Sequence, residues 1–96
     1  MDQIIVYDIP DDDLRTHVSH LLEDYGFVRV QYSVFRGSRS QNTLEMLALE
    51  LKDLIKKQEA DVRFYQICDI CLAKTMVVSR IGVDDEGGVT FPCQAG

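Results

Sequence analysis

The sequence predicts a small α+β sandwich in which two strand–helix–strand halves share one antiparallel sheet. Three features predict it. Apolar residues recur at helical spacing in two separate stretches, β-branched runs flank both, and Gly, Pro or acidic clusters punctuate the boundaries. The 96 residues make a single small domain. A chain of this size hides only about 60–65% of its unfolded surface, so a second copy would help it cover apolar area.

The first strand runs from Gln3 to Ile9. Its centre, Ile4-Ile5-Val6-Tyr7, is apolar at consecutive positions, as in a central strand covered on both faces. Pro10 stops it, and Asp11, Asp12 and Asp13 supply N-cap candidates whose charge suits a helix N-terminus. Leu14, Val18, Leu21, Leu22 and Tyr25 then fall on one helical stripe, and Gly26 takes the C′ position. Phe27 to Arg36 returns as extended chain, either one bent strand or a hairpin turning near Gln31-Tyr32, until Gly37-Ser38 breaks it.

A second helix is expected from about Ser40 to Lys57, with Leu44, Leu47, Ala48, Leu51, Leu54 and Ile55 inward and an Asn42–Glu45 capping box. Met46 and Leu49 lie off that stripe and point to contacts beyond the monomer core. Val62 to Ile67 alternates as a strand, Cys68 to Lys74 is irregular or a single turn, and Thr75 to Ile81 is a further strand. A turn through Asp84-Asp85-Glu86-Gly87-Gly88 leads to Val89-Thr90-Phe91 before Pro92. This order gives a ferredoxin-like β-α-β-β-α-β sandwich with both helices on one face of an antiparallel sheet. Residues 1–82 form the domain, and residues 83–96 form a tail or extra strand that pairs with a partner subunit's sheet edge.

The net charge of −6 argues against a chain that binds polynucleotides over its whole surface, because phosphate binding draws on clustered Lys and Arg. The charge is uneven, however. Tyr25 to Leu44 contains Arg29, Arg36 and Arg39 and no acid, while acids gather at Asp11–Asp13 and Asp84–Glu86. Nucleic-acid contact is therefore expected to be local. The expected location is cytoplasmic: no apolar run approaches the ~20 residues of a membrane span, and Met1-Asp2-Gln3 does not resemble the basic start of a signal peptide. Three cysteines give no disulfide framework. Cys68 and Cys71 form a C-x-x-C lacking the four ligands of a zinc site, and are expected as buried or half-buried free thiols.

Asp8 stands out at the end of an otherwise apolar strand, since Asp is poor in strands. It has two readings: a cap for the helix beginning near Asp12, or a ligand for a hard cation. His17 and His20 lie outside the first helix's apolar stripe and offer no evident general base.

The run Val6-Tyr7-Asp8-Ile9-Pro10-Asp11-Asp12, followed by Leu14-Arg15, Leu21-Leu22, Tyr25-Gly26 and Arg29-Val30-Gln31-Tyr32-Ser33-Val34-Phe35-Arg36-Gly37, resembles the CRISPR-associated protein 2 family. The resemblance continues through Val62-Arg63-Phe64-Tyr65 and Thr75 to Gly82, covering residues 3–82. It implies a homodimer that bridges dimers of the CRISPR integrase and holds prespacer DNA during spacer acquisition in antiviral defence. It also implies a second activity, metal-dependent endonuclease cleavage of single-stranded RNA or duplex DNA. In that account Asp8 is catalytic and binds Mg²⁺, or Mn²⁺ in its place, and Tyr7, Arg15, Arg29, Ser33 and Phe35 support it. Arg15, Arg29, Arg36 and Arg39 would carry nucleic-acid contacts. Some family members place a second arginine two positions after the first, where this chain has His17. That departure favours a dominant scaffold role with weak nuclease activity. A toxin-type mRNA interferase on a related fold is the remaining alternative.

Overall fold

The computed structural model describes residues 1–79 and 88–90. In chain order the elements are β1 (Asp2–Asp8), α1 (Asp12–Asp24), β2 (Val28–Gln31), β3 (Val34–Gly37), α2 (Gln41–Ile55), β4 (Asp61–Ile67), α3 (Asp69–Ala73), β5 (Val77–Ser79) and β6 (Gly88–Thr90). The first four strands form one sheet in the order β2-β3-β1-β4, and β3 runs antiparallel to both β1 and β2. Each of the two long helices thus joins strands that are not neighbours: α1 passes over β3 and α2 over β1. This is the ferredoxin-like arrangement that the alternation of elements predicts.

The chain divides into two compact units, Met1–Gln66 and Ile67–Gly96. In the second, β5 and β6 pair antiparallel, Val77 opposite Thr90, as a separate two-stranded sheet. The expected boundary at residues 82 and 83, and the expectations for Ile81, Asp84–Glu86, Phe91 and Pro92, lie outside the described residues.

In the first unit the core lies between the sheet and the helices. Ile5, Val18, Leu22, Phe35 and Leu47 are wholly buried there, each contributing about 1.5–3 kcal/mol by leaving water. Gln3 joins them as a buried polar side chain with its bonds satisfied. Its amide donates to the Met1 carbonyl at 3.0 Å and to that of Arg39 at 3.2 Å, and its Oε1 accepts from the Arg39 amide at 2.8 Å. One side chain thereby ties the start of β1 to the loop before α2.

Strand alternation sorts the remaining side chains. On β1, Gln3, Ile5 and Tyr7 face the helices and are buried, whereas Asp2, Ile4 and Val6 are half-buried on the other face. The expectation of a strand covered on both faces is corrected, because the helices cover only one. The register places Ile5 beside Phe35 and Phe35 beside Arg29 on the helix side. Ile4, Arg36 and Val28 form the corresponding row on the open side.

Local chemistry accounts for the boundaries. Asp11 caps α1, its carboxylate accepting from the Leu14 amide at 2.8 Å. Gly26, at φ +89°, turns the chain out of α1, where a Cβ would fall on the Arg39 guanidinium. Residues 27–36 resolve as a hairpin turning at Tyr32-Ser33, with Val30 bulged out of register. Helix α2 is capped by Ser40, which accepts from the Thr43 amide at 3.2 Å, not by the expected Asn42–Glu45 box. Asn42 already lies within the helix, too late to cap it. Ala48 is exposed instead of buried, and Met46 and Leu49 are exposed as expected.

Candidate nucleic-acid interface and carboxylate site

The polar ends of β1, α1 and the β2–β3 hairpin meet at one corner of the helix-covered face. Tyr7 projects there from the last buried position of β1, its ring stacked on Phe35 at a centroid distance of 6.1 Å. The Arg29 guanidinium also lies against this pair, 5.0 Å from the Phe35 ring centre, and donates to the Tyr32 carbonyl. Arg15 reaches back from the first turn of α1, donating to the Ile9 carbonyl at 2.9 Å and pairing with Asp12. Its guanidinium sits 5.5 Å from the Tyr32 ring centre. Together with Thr16 and Ser19 these side chains line a cleft of about 120 Å³.

The Tyr7 hydroxyl is buried at this cleft, and among the described residues no group meets it in full hydrogen-bond geometry, although the Arg29 guanidinium lies close enough to favour its ionised form. Burial pushes its phenol above the ordinary value, against the pull of the Arg29 guanidinium. The hydroxyl therefore stays neutral and able to donate. A neutral phenol flanked by two guanidiniums suits an oxyanion, because guanidinium recognises phosphate through several N–H groups at once.

The four arginines do not act as one strip. Arg15 and Arg29 line the cleft. Arg36 lies on the open sheet face, bonded to Asp2 at 2.8 Å. The Arg39 side chain clasps the backbone, donating to the carbonyls of Tyr25 at 2.6 Å, Ser38 at 3.0 Å and Gly26 at 3.3 Å. Ser33 contributes through its main chain, its carbonyl accepting from the Tyr7 amide at 3.1 Å. Sequence reasoning overlooks Gln3 and the cleft residues Thr16 and Ser19. Nothing in the consecutive apolar run of β1 marks Gln3, whereas Ser19, four residues after Arg15 and three before Leu22 on α1, is a position that helical spacing could have marked.

Asp8 ends β1 one residue beyond Tyr7, so alternation sends it away from the cleft, toward the face of Ile4 and Val6. It is exposed, and among the described residues nothing donates to its carboxylate. The capping role belongs to Asp11. Among the described residues no group of three or more His, Cys, Asp or Glu can hold a metal ion. A hard dication that keeps several waters accepts one or two carboxylates. Asp8 from one protomer thus supplies half a site, and the residues fit Mg²⁺ only if a second copy brings its own Asp8 alongside. His17 and His20 are exposed on α1.

The C-x-x-C corrects another expectation: Cys68 and Cys71 are both exposed free thiols. Cys68 caps the five-residue α3, accepting from the Cys71 amide at 3.4 Å. That N–H lowers the Cys68 thiol below its usual value, while the neighbouring Cys68 sulfur raises Cys71.

Residues 1–75 match the family model for CRISPR associated protein Cas2. The chain belongs to the Cas2 family. A CRISPR-associated endoribonuclease Cas2 from Archaeoglobus fulgidus is 37% identical over 90 residues, covering 92% of this chain and 96% of that relative. A Cas1/Cas2 endonuclease fusion from Thermoproteus tenax is 31% identical over 64 residues, which span 67% of this chain and 24% of the fusion. Among solved structures, Cas2 of Streptococcus pyogenes is similar with a TM-score of 0.63 and 29% identity, over 71% of this chain and 87% of that one. Within the Cas2 family's matched span lie β1, α1, the hairpin, α2 and β4, which hold Asp8 and the Arg15–Arg29 cleft. No helix among the described residues is long and apolar enough to cross a membrane.

Proposed function

We propose that this protein is a CRISPR adaptation subunit: a homodimer that bridges copies of the CRISPR integrase and helps hold prespacer DNA, acting mainly as a scaffold. The observation that carries this reading is the division of labour across the sheet. The open face presents Ile4, Val6 and Val34 half-buried and Val28 exposed, an apolar surface that a second copy covers. The opposite corner holds Arg15 and Arg29 around a cleft suited to phosphate. A joining surface and an anion-holding surface on separate faces let the dimer form without obstructing the DNA. The T. tenax relative, named as a Cas1/Cas2 fusion, supports a partner of the Cas1 kind.

A second reading, metal-dependent endonuclease, is favoured by the Asp8 carboxylate at the end of the open face, which has no partner among the described residues. Two Asp8 side chains facing one another across a dimer axis would hold Mg²⁺ or Mn²⁺. When bound, the ion would polarise a phosphoryl oxygen and lower the pKa of a bound water. The name endoribonuclease carried by the A. fulgidus relative supports this as an accompanying activity on RNA or DNA.

Asp8→Asn separates the two readings, because it preserves shape and removes the charge that a hard cation requires. Cleavage turnover with Mg²⁺ or Mn²⁺ and integrase-dependent spacer insertion are to be measured on one preparation. The expected outcome is cleavage lowered at least about 100-fold, equivalent to ~2.7 kcal/mol of barrier, with the dimer intact and insertion unchanged. Insertion abolished in a variant that still dimerises and still binds the integrase would overturn the scaffold reading.

A further inference from the structure

The side of the helix layer turned away from the core carries a groove between α1 and α2, about 580 Å³ in volume. Its floor is apolar: Leu49 is 68% exposed, and Leu21 and Leu54 beside it are half-buried. A single exposed leucine on a soluble protein is ordinary, but three lining one concavity form a ready acceptor for an apolar anchor. Among the described residues three carboxylates rim it, those of Asp24, Glu50 and Asp53, and no Lys or Arg lines it. His17 and His20 complete the wall on α1.

The rim selects the occupant. A second copy docked groove to groove would bring the same three carboxylates against these, and polynucleotide phosphate or an anionic lipid surface at this rim would meet the same repulsion. A protein segment with an apolar anchor and flanking cations meets none. From His17 to Asp24 the α1 wall extends two turns, about 10 Å at ~1.5 Å per residue, which matches a docked helix anchored at i and i+3 or i+4. Beyond Leu49 and Asp53 the groove adjoins a hollow edged by Lys52, Lys56 and Lys57. The acceptor thus changes from acidic to basic along α2, which fixes the direction in which a charged helix lies.

We propose that this groove docks an amphipathic helix of a protein partner, its cations gathered at the end that meets Asp24, Glu50 and Asp53, with an apolar side chain seated against Leu21, Leu49 and Leu54. It lies apart from both the arginine cleft and the open sheet face, so it stays accessible in a dimer formed through that face. The proposal does not depend on which reading of Asp8 holds.

The probe is a fluorescein-labelled helical peptide of about 15 residues, with leucines on one stripe and lysines flanking them in one half only, beside a matched peptide carrying glutamates for those lysines. Anisotropy titration of the full chain should show the lysine peptide binding at least about tenfold tighter than its acidic match. Amide chemical shifts should move within His17–Asp24 and Leu49–Leu54. Leu49→Ala, at an exposed position that leaves the core intact, should weaken binding about fivefold or more. The double variant Asp24→Lys/Asp53→Lys should reverse the preference between the peptides. No binding near millimolar concentration, shifts confined to another surface, or affinity indifferent to Leu49→Ala and to charge reversal would each overturn the proposal. So would groove shifts that follow protein concentration without peptide, since a second copy would then be the occupant.

Discussion

Arg29 and Arg39 are neighbours in the same acid-free segment, yet their guanidiniums do different work, and substitution should separate them. Arg29 spends one bond on the Tyr32 carbonyl and keeps the rest of its donors at the cleft. Arg29→Ala should leave thermal stability nearly unchanged and weaken integrase-dependent DNA capture. The slope of log affinity against log salt should fall by about one for each phosphate that is no longer neutralised, hence by about two in a dimer. Arg39 is committed to three backbone carbonyls, so Arg39→Ala should cost about 1–2 kcal/mol in urea denaturation and leave the salt slope unchanged. A second residue-scale outcome concerns the thiols. Because the Cys71 amide stabilises the Cys68 thiolate, iodoacetamide should modify Cys68 before Cys71. The Cys68 rate should also reach its plateau at the lower pH, as peptide mass spectrometry across a pH series will show. Equal rates would mean that the N–H···S bond does not hold in solution.

Among the elements, α2 offers the clearest test of how the sequence is read. Ser40 and Asn42 are both good capping residues, and a Glu three positions after Asn42 makes the later site look complete. The chain starts its helix two residues earlier because the buried stripe of Leu44, Leu47 and Leu51 is set against the sheet, and Ser40 is the residue left at the edge in extended conformation. Ser40→Ala should cost about 1 kcal/mol, and Asn42→Ala should be neutral or slightly stabilising by helix propensity, both read from urea midpoints. The same interplay of local pattern and tertiary packing governs what can be read elsewhere. Periodicity alone locates α1, α2, β1 and β4. It cannot distinguish a bent strand from a hairpin at residues 27–36, since the turn at Tyr32-Ser33 contains no Gly, Pro or Asn and both its residues keep φ negative. Nor can it place the cysteines, whose exposure depends on where α3 lies. For the candidate site, Tyr7, Arg15, Arg29 and Asp8 are legible as residues. Their separation onto two faces becomes legible only once the strand's end and register are known.

At the scale of the molecule, a half-apolar open face, β4 as the last strand of its sheet among the described residues, and a β5–β6 pair of its own all suit a second copy better than solvent. Light scattering at micromolar concentration should give twice the 10.9 kDa chain mass. Ending the chain before Thr75 should shift that value toward the monomer, because the strands available to a partner's edge are then gone. A monomer from the intact chain would remove the basis for a paired Asp8 site as well. Tyr7 and Asp8 are consecutive, and the peptide between them is all that separates the cleft from the open face. A phosphate seated between Arg15 and Arg29 is therefore screened by the sheet from the carboxylate of its own protomer. If the proposed scaffold and paired-carboxylate readings both hold, such insulation lets nucleic acid be gripped at the guanidiniums while Asp8 faces elsewhere. One residue inserted into β1 ahead of Tyr7 would cancel that protection. It would turn the carboxylate inward among the guanidiniums and push the phenol out to the open face.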